Sequence, residues 1–166
     1  MTIDWNVKKF DELTPHELYA VLQLRNEVFV VEQNCVFQDA DDKDQVAFHF
    51  MGWSDKKLLA YTRLLGPGTT YPEASIGRVV SSPLARGSGI GKELMQKSIE
   101  AIYKIYGRQN IQIGACRLGA RGLGRDGAHI ALAADLLAQQ RRLDGSGPGL
   151  RRGRQQGQIG LLEAAR

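Results

Sequence analysis

Beyond Tyr106 the chain contains no Phe, Trp, Tyr, Lys, Met, Thr or Val. A segment without aromatic residues, and with a few Ile as its sole β-branched residues, has little from which to build strands or a specific core. Cysteine is nearly absent as well. Cys35 and Cys116 stand far apart, with no CxxC pair and no histidine nearby. That excludes a disulfide framework and a cysteine–histidine zinc site, and leaves two reduced thiols. No run of about 18 apolar residues is present, so no membrane-spanning helix is expected. The opening MTIDWNVKKF lacks the basic-then-apolar layout of a signal peptide. The expectation for these 166 residues is a cytoplasmic protein with one ordinary domain and no membrane partner.

The formal charge of +4 divides unevenly along the chain. Residues 1–115 carry 13 Lys+Arg against 14 Asp+Glu, a net of −1; residues 116–166 carry 9 Arg against 4 acids, a net of +5. The excess basicity belongs to the last third and says nothing about the front of the chain. Composition shifts at the same place, toward Gly, Arg, Ala, Leu and Gln. Residues 1–115 and 116–166 therefore read as two kinds of sequence.

What is present in the front part is ordered. Thr14, Pro15 and Glu17 form a helix start with a capping box, and Leu18, Val21, Leu22, Arg25, Val28 and Phe29 recur at helical spacing. QDADDKDQ (38–45) reads as a polar loop. AFHFMGWS (47–54) and KLLAYTRLLG (57–66) read as strands joined by a hairpin turn, and SIGRVVSS (75–82) as a third strand ended by Pro83. GKELMQKSIEAIYKIYG (91–107) is an amphipathic helix closed by Gly107, and NIQIGA (110–115) a further short strand. The predicted order is helix, three strands, glycine loop, helix, strand. That is an α/β (α+β) domain with a mixed central sheet. In the last third, residues 129–144 have helical periodicity, and residues 145–160 carry no element signal and read as flexible.

The sharpest motif is RGSGIGKEL, residues 86–94. Glycines ahead of a helix let the backbone turn tightly and present unpaired N–H groups at the positive end of the helix dipole, a cradle for phosphate. The spacing is not a P-loop, because position 86 is Arg and Glu93 replaces the magnesium-binding hydroxyl; nor is it the dinucleotide pattern G-x-G-x-x-G. A cluster like this is as often a plain turn.

In context, IGRVVSSPLARGSGIGKELMQKSIE resembles the acetyl-CoA-binding segment of the GNAT N-acetyltransferase superfamily, whose [RQ]-x-x-G-x-[GA] pattern falls on Arg86, Gly89 and Gly91. LYAVLQLRNEVFVVEQNCVFQDADDKD, followed by HFMGW, AYTRLL and IGRVVSS, is similar to the ElaA group of that superfamily, and the resemblance spans about residues 3–115. It implies a GNAT-like acyl-CoA N-acyltransferase fold and transfer of an acetyl group from acetyl-CoA to a primary amine of a small molecule or peptide. It implies that main-chain groups of Val79, Val80 and Ser81 pair with pantetheine. It further implies that the amides of Arg86, Gly87, Ser88, Gly89, Ile90 and Gly91 hold the pyrophosphate, with Lys92 adding charge. The amine acceptor stays unknown, and a homodimer is compatible with the resemblance.

The family follows the strand equivalent to IQIGA with a helix whose tyrosine serves as general acid for the departing thiolate. ElaA-like chains run there through a Phe-Tyr…Gly-Phe segment and end in a strand with Pro-His-Ile. This chain has CRLGARGLGRDGAHIALAADLLAQQ and no tyrosine after Tyr106. The implied general acid has no counterpart, and the alternative reading is an inactive acyl-CoA-binding remnant. Residues 1–115 are then the acetyltransferase domain without its C-terminal part, and 116–166 a divergent Gly/Arg/Ala-rich tail. A change of reading frame in GC-rich coding DNA would produce such a switch. The rival, a tail that binds nucleic acid, is weakened by the want of any aromatic residue to stack on bases.

Candidate chemistry stands beside plainer roles. Glu32 would position or deprotonate the amine, or make a structural hydrogen bond. His49, on a strand, would act as a base or sit in the core. Arg78 would point at the substrate or form a salt bridge. Asp39, Asp41, Asp42 and Asp44 lack the glycine and terminal Glu of a calcium loop, and read as a solvated loop attractive to a cationic amine. No metal site is expected. Phe50, Trp53 and Tyr61 read as core or cleft wall, and Cys35 has no base beside it in sequence.

Overall fold

The computed structural model describes residues 2–34 and 36–113 in full, and the backbone of 150–152 and 162–164. Cys35, Cys116, the helix expected at 129–144 and the stretch that stands in place of the family's tyrosine region lie outside the described residues.

Five strands form one mixed sheet in the order β1 (Asp4–Lys9), β2 (Phe48–Ser54), β3 (Lys57–Leu65), β4 (Ala74–Ser81) and β5 (Ile111–Ile113). The first four pair antiparallel, and β5 joins β4 in parallel. Asp55 and Lys56 both adopt positive φ, the conformation that a two-residue hairpin turn between β2 and β3 demands. β2 to β5 lie where hydrophobic patterning puts them.

β1 does not follow from patterning, and it is the main addition to the predicted order. Its Asp, Asn and Lys residues are poor strand formers, so pairing and one tryptophan hold it to the sheet edge. Trp5 stacks on Phe50 with ring centroids 5.4 Å apart and donates from Nε1 to Glu93 at 2.9 Å. A Cβ at Gly52, the residue opposite, would come within 2.5 Å of the indole, so glycine there is what lets Trp5 lie flat.

Helix α1 (Pro15–Arg25) starts with the expected capping box: Thr14 Oγ1 accepts the Glu17 amide at 3.2 Å, and the Glu17 carboxylate accepts the Thr14 amide at 2.8 Å. The helix does not run on unchanged. From Asn26 to Glu32 it widens into a π-helical turn, with the Gln33 amide reaching the Val28 carbonyl at 3.1 Å. Val28, Phe29, Val30 and Val31 set β-branched and aromatic side chains in a row, which crowds an α-helical turn.

Helix α2 (Ile90–Tyr106) buries Leu94, Met95, Ile99 and Ile102 against Leu59, Leu64, Ile76 and Ile111 on one face of the sheet. α1 buries Val21 and Leu24, and the π-helical turn Val28, against Met51, Tyr61 and Val80 on the other. β6 (Leu150–Arg152) and β7 (Leu162–Ala164) pair antiparallel. β6 therefore lies inside a stretch whose sequence carries no element signal.

Candidate functional site

The strand that leads to the glycine loop is irregular in its second half. Tyr61 faces Val80 and Arg63 faces Gly77, so Arg78 and Val79 together oppose the single residue Thr62. This β-bulge carries Arg78 at φ +52°, a conformation rare for a residue with a side chain. Bulges re-aim backbone groups and cluster beside active sites. The ladder from β4 to β5 covers Ala74, Ser75 and Ile76; among the described residues, Gly77, Val80 and Ser81 have a ladder partner only in β3. Val80 and Ser81 keep their register with Tyr61 and Ala60 of β3, whereas Arg78 and Val79, within the bulge, have no ladder partner among the described residues.

Six residues further on, the chain reaches the glycine loop. Gly87 and Gly89 hold φ of +82° and +85°, and a Cβ on either would meet nothing within 4 Å. The glycines are there for backbone conformation, and the space beside them is open. Gly89 is the N-cap of α2 and offers no side-chain cap. The amides of Gly87, Gly89, Ile90 and Gly91 have no hydrogen-bond acceptor among the described residues. Those of Arg86 and Ser88 turn back to the Pro83 and Ala85 carbonyls, both at 3.4 Å. Of the six amides implied by the resemblance, four stay unengaged at the positive end of a 17-residue helix. The arrangement fits an extended anion.

Arg86 and Glu32, both singled out in the sequence, meet. The two Nη atoms of Arg86 donate to the two Glu32 carboxylate oxygens at 2.5 and 2.6 Å. This fork-to-fork pair ties the end of the π-helical turn to the start of the glycine loop. Lys92 is exposed on the first turn of α2.

Of the two roles open to each, His49 takes the core position and Arg78 the salt bridge. His49 is fully buried, with Nε2 at 3.0 Å from the Asp44 carbonyl and Nδ1 at 2.9 Å from the Tyr61 hydroxyl. A carbonyl only accepts, so Nε2 carries the proton and Tyr61 donates to Nδ1. Burial holds its pKa below the ordinary 6.5, only partly offset by Asp44. A neutral imidazole with both nitrogens committed is a core strut, and no acceptor amine reaches it. Arg78 contacts Asp39 Oδ1 at 2.7 Å and Asp41 Oδ2 at 3.4 Å, and donates to the Asp39 carbonyl at 2.9 Å. Its guanidinium, 5.7 Å from the Phe37 ring centroid, is turned to the loop rather than to a substrate.

The acidic loop is likewise not a solvated one. Arg25, fully buried, donates to both Asp44 oxygens at 2.9 Å and to Asp39 at 2.7 Å. Arg63 joins Asp41 and Asp44. The Arg63 guanidinium holds the Asp41 carboxyl far below the usual carboxylate range against the opposing effect of burial. Burial opposes ionisation of Asp44, but Arg25 and Arg63 overcome it and lower that pKa too. Three arginines from α1, β3 and β4 thereby clamp residues 39–44 against the sheet. Sequence reasoning missed Arg25 and Arg63; unpaired arginines on apolar faces were the available signal.

The GNAT acetyltransferase family model matches residues 10–122. The chain belongs to this family. A UPF0039 protein of Synechocystis is 40% identical over 116 residues, covering 69% of this chain and 75% of that protein. Protein ElaA of Escherichia coli is 39% identical over 115 residues, covering 68% of this chain and 75% of ElaA. An acyl-CoA N-acyltransferase from Pseudomonas aeruginosa superposes with a TM-score of 0.66 at 46% identity, over 69% of this chain and 80% of that one. The crystal structure of E. coli ElaA gives 0.66 at 38% identity, over 69% and 79%. The mixed sheet flanked by two helices is the GNAT acyl-CoA N-acyltransferase fold, as expected, and the family's chemistry is acyl transfer from acyl-CoA. Among the described residues no helix is long and apolar enough to cross a membrane.

Proposed function

We propose that this chain transfers an acetyl group from acetyl-CoA to a primary amine. The observation that carries the reading is the set of amides at Gly87, Gly89, Ile90 and Gly91, which have no acceptor among the described residues and follow the β4 bulge. Acetyl-CoA supplies a thioester whose acyl carbon an amine attacks directly. The glycine-loop amides and Arg86 bind its diphosphate, and main-chain groups of Val79, Val80 and Ser81 orient the pantetheine beside the bulge. Glu32, once released from Arg86, is the carboxylate available to position or deprotonate the amine. The clamped loop 39–44 and Arg78 fix the wall on the α1 side, where the acceptor is expected.

A second reading follows from the sequence itself. The chain has no tyrosine after Tyr106, and the matches to the Synechocystis and E. coli relatives span 116 and 115 of the 166 residues. On this reading the tail from about Cys116 is a product of a changed reading frame and the chain binds acyl-CoA without turning it over. Calorimetric titration with acetyl-CoA, run beside a thiol-release assay over a panel of primary amines, separates the two. Turnover is expected from the first reading, binding alone from the second, and no binding overturns both. The nucleotide sequence around codons 110–120 tests the frame change: a Phe-Tyr…Gly-Phe run in another frame supports it, and no such run in any frame counts against it.

A further inference from the structure

The Glu32–Arg86 pair occupies the very group that the diphosphate needs. Arg86 immediately precedes Gly87, and both of its terminal nitrogens already face both oxygens of one carboxylate, at 2.5 and 2.6 Å. Glu32 takes the end-on edge formed by the two Nη atoms, and a phosphate that approaches Arg86 end-on uses that same edge in the same geometry. Anion and Glu32 therefore compete for it. The pair is partly exposed, with side-chain exposure of 25% for Arg86 and 43% for Glu32, so a ligand in solvent reaches both partners. Glu32 also sits at the last position of the π-helical turn.

We propose that Glu32 is an anion gate on the coenzyme site: an internal carboxylate that holds Arg86 until a ligand with more than one phosphate displaces it. This rests on the acyl-CoA reading above and adds to it a source of selectivity. A single inorganic phosphate contacts either the loop amides or Arg86, and gains too little from one phosphate's charge to expel a bidentate carboxylate. A diphosphate anchors one phosphate on the amides of Gly87 to Gly91 and brings the second to Arg86 at high effective concentration. The carboxylate's own charge repels the incoming anion until that exchange is made. The gate thus keeps abundant single-phosphate anions out at a modest cost in coenzyme affinity.

The test uses the full chain, titration calorimetry, and two probes: acetyl-CoA, and S-acetylpantetheine, which lacks the diphosphate. Glu32→Gln is expected to tighten acetyl-CoA binding about three- to ten-fold, the range for releasing a partly exposed bidentate pair. It is expected to leave S-acetylpantetheine unchanged, and to lose its effect in an Arg86→Gln background. Inorganic phosphate at millimolar concentration is expected to compete with acetyl-CoA in Glu32→Gln and to compete several-fold less in the parent. Glu32→Asp keeps the charge while shortening the reach, and is expected to gain less than Glu32→Gln. Equal or weaker acetyl-CoA binding by Glu32→Gln overturns the gate, as does an equal gain for S-acetylpantetheine or a gain that survives without Arg86. Failure of the parent and every variant to bind acetyl-CoA overturns the acyltransferase reading itself, and the gate with it.

Discussion

The two faces of the sheet are closed by different physics. Under α2 the contact is hydrocarbon, with Leu94, Met95, Ile99 and Ile102 all fully buried and one hydroxyl pair, Thr62 and Ser98 at 2.8 Å, among them. Under α1 a smaller apolar patch gives way to the buried Arg25, Arg63 and their carboxylate partners. Apolar burial is non-directional and supplies most of the driving force for folding. Ion pairs taken out of water add little net stability, because desolvation offsets their attraction, but they accept few alternative geometries. The face that fixes the fold is the oily one, and the face that fixes the cleft is the charged one. Residues 36–44 could not dock by hydrophobicity in any case: Val36 is 93% exposed and Phe37 36%.

The sharpest way to break this contrast is Arg25→Ala. It leaves Asp44 buried with half its partners gone, and a cost of about 3–5 kcal/mol is expected, read by urea denaturation. Because Asp39 loses a partner in the same step, the loop should loosen and amide exchange at 39–44 should rise. A loss below about 1 kcal/mol would mean that the network is dispensable and that the two faces are alike.

Much of the α2 face was legible in the sequence, and little of the α1 face. The β4–loop–α2 unit announces itself locally: Pro83 ends the strand, glycines at positive φ set the turn, and apolar residues recur every three or four positions. Each signal lies within a few residues of the element it specifies. The charged network spans longer gaps, Arg25 to Asp39 and Asp44 across 14 and 19 positions, Glu32 to Arg86 across 54. Nothing local to an aspartate says which arginine it will meet. β1 was hidden for a related reason, since its stability comes from pairing with β2, 39 to 49 positions away, and from Trp5 fitting over Gly52. His49 shows the limit most plainly: its residue type and strand position left a base and a core histidine both open, and only its two enclosed hydrogen bonds decide for the strut.

Acidification should weaken the charged face first. His49 has a folded pKa below 6.5, so the unfolded chain binds its proton more readily. The stability tied to neutral His49 is present above pH 6.5 and is lost as pH falls from there toward the folded value. The slope is at most about 1.4 kcal/mol per pH unit for one proton. Asp41 and Asp44, both lowered from 3.8, add a second loss as pH falls below about 4. Denaturant midpoints measured from pH 8 to 3 should show a plateau and then both declines. His49→Gln should remove the first decline and leave the second, at the expense of some stability throughout.

Gly89→Ala moves the comparison to the loop that joins the two faces. At φ +85° an added Cβ costs about 1–2 kcal/mol in backbone strain, yet it meets no atom within 4 Å and so clashes with nothing in the protein. The expected signature is therefore lopsided. Thermal stability falls modestly, while acetyl-CoA affinity falls by an order of magnitude or more, because the methyl stands in the open space beside the unengaged amides. A stability loss with unchanged coenzyme affinity would place the anion elsewhere.

The smallest effect belongs to Ile99→Val, which removes one methylene from the centre of the α2 face. A cost of about 0.5–1.5 kcal/mol is expected, set by lost transfer free energy and a gap too small to hold water. The useful part is what should not change. Ile99 packs among Leu94, Met95 and Ile102 and touches no charged group of the loop, so the loss should be the same at pH 8 and pH 5. Acetyl-CoA affinity should hold to within a factor of two, because the helix start is fixed by Gly89 and by Trp5 bonding to Glu93 rather than by the third turn of α2. Should the cost instead vary with pH, or the coenzyme bind several-fold less well, packing on the hydrocarbon side would be coupled to the ionic side through the strands between them. The division of labour between the two faces would then be wrong.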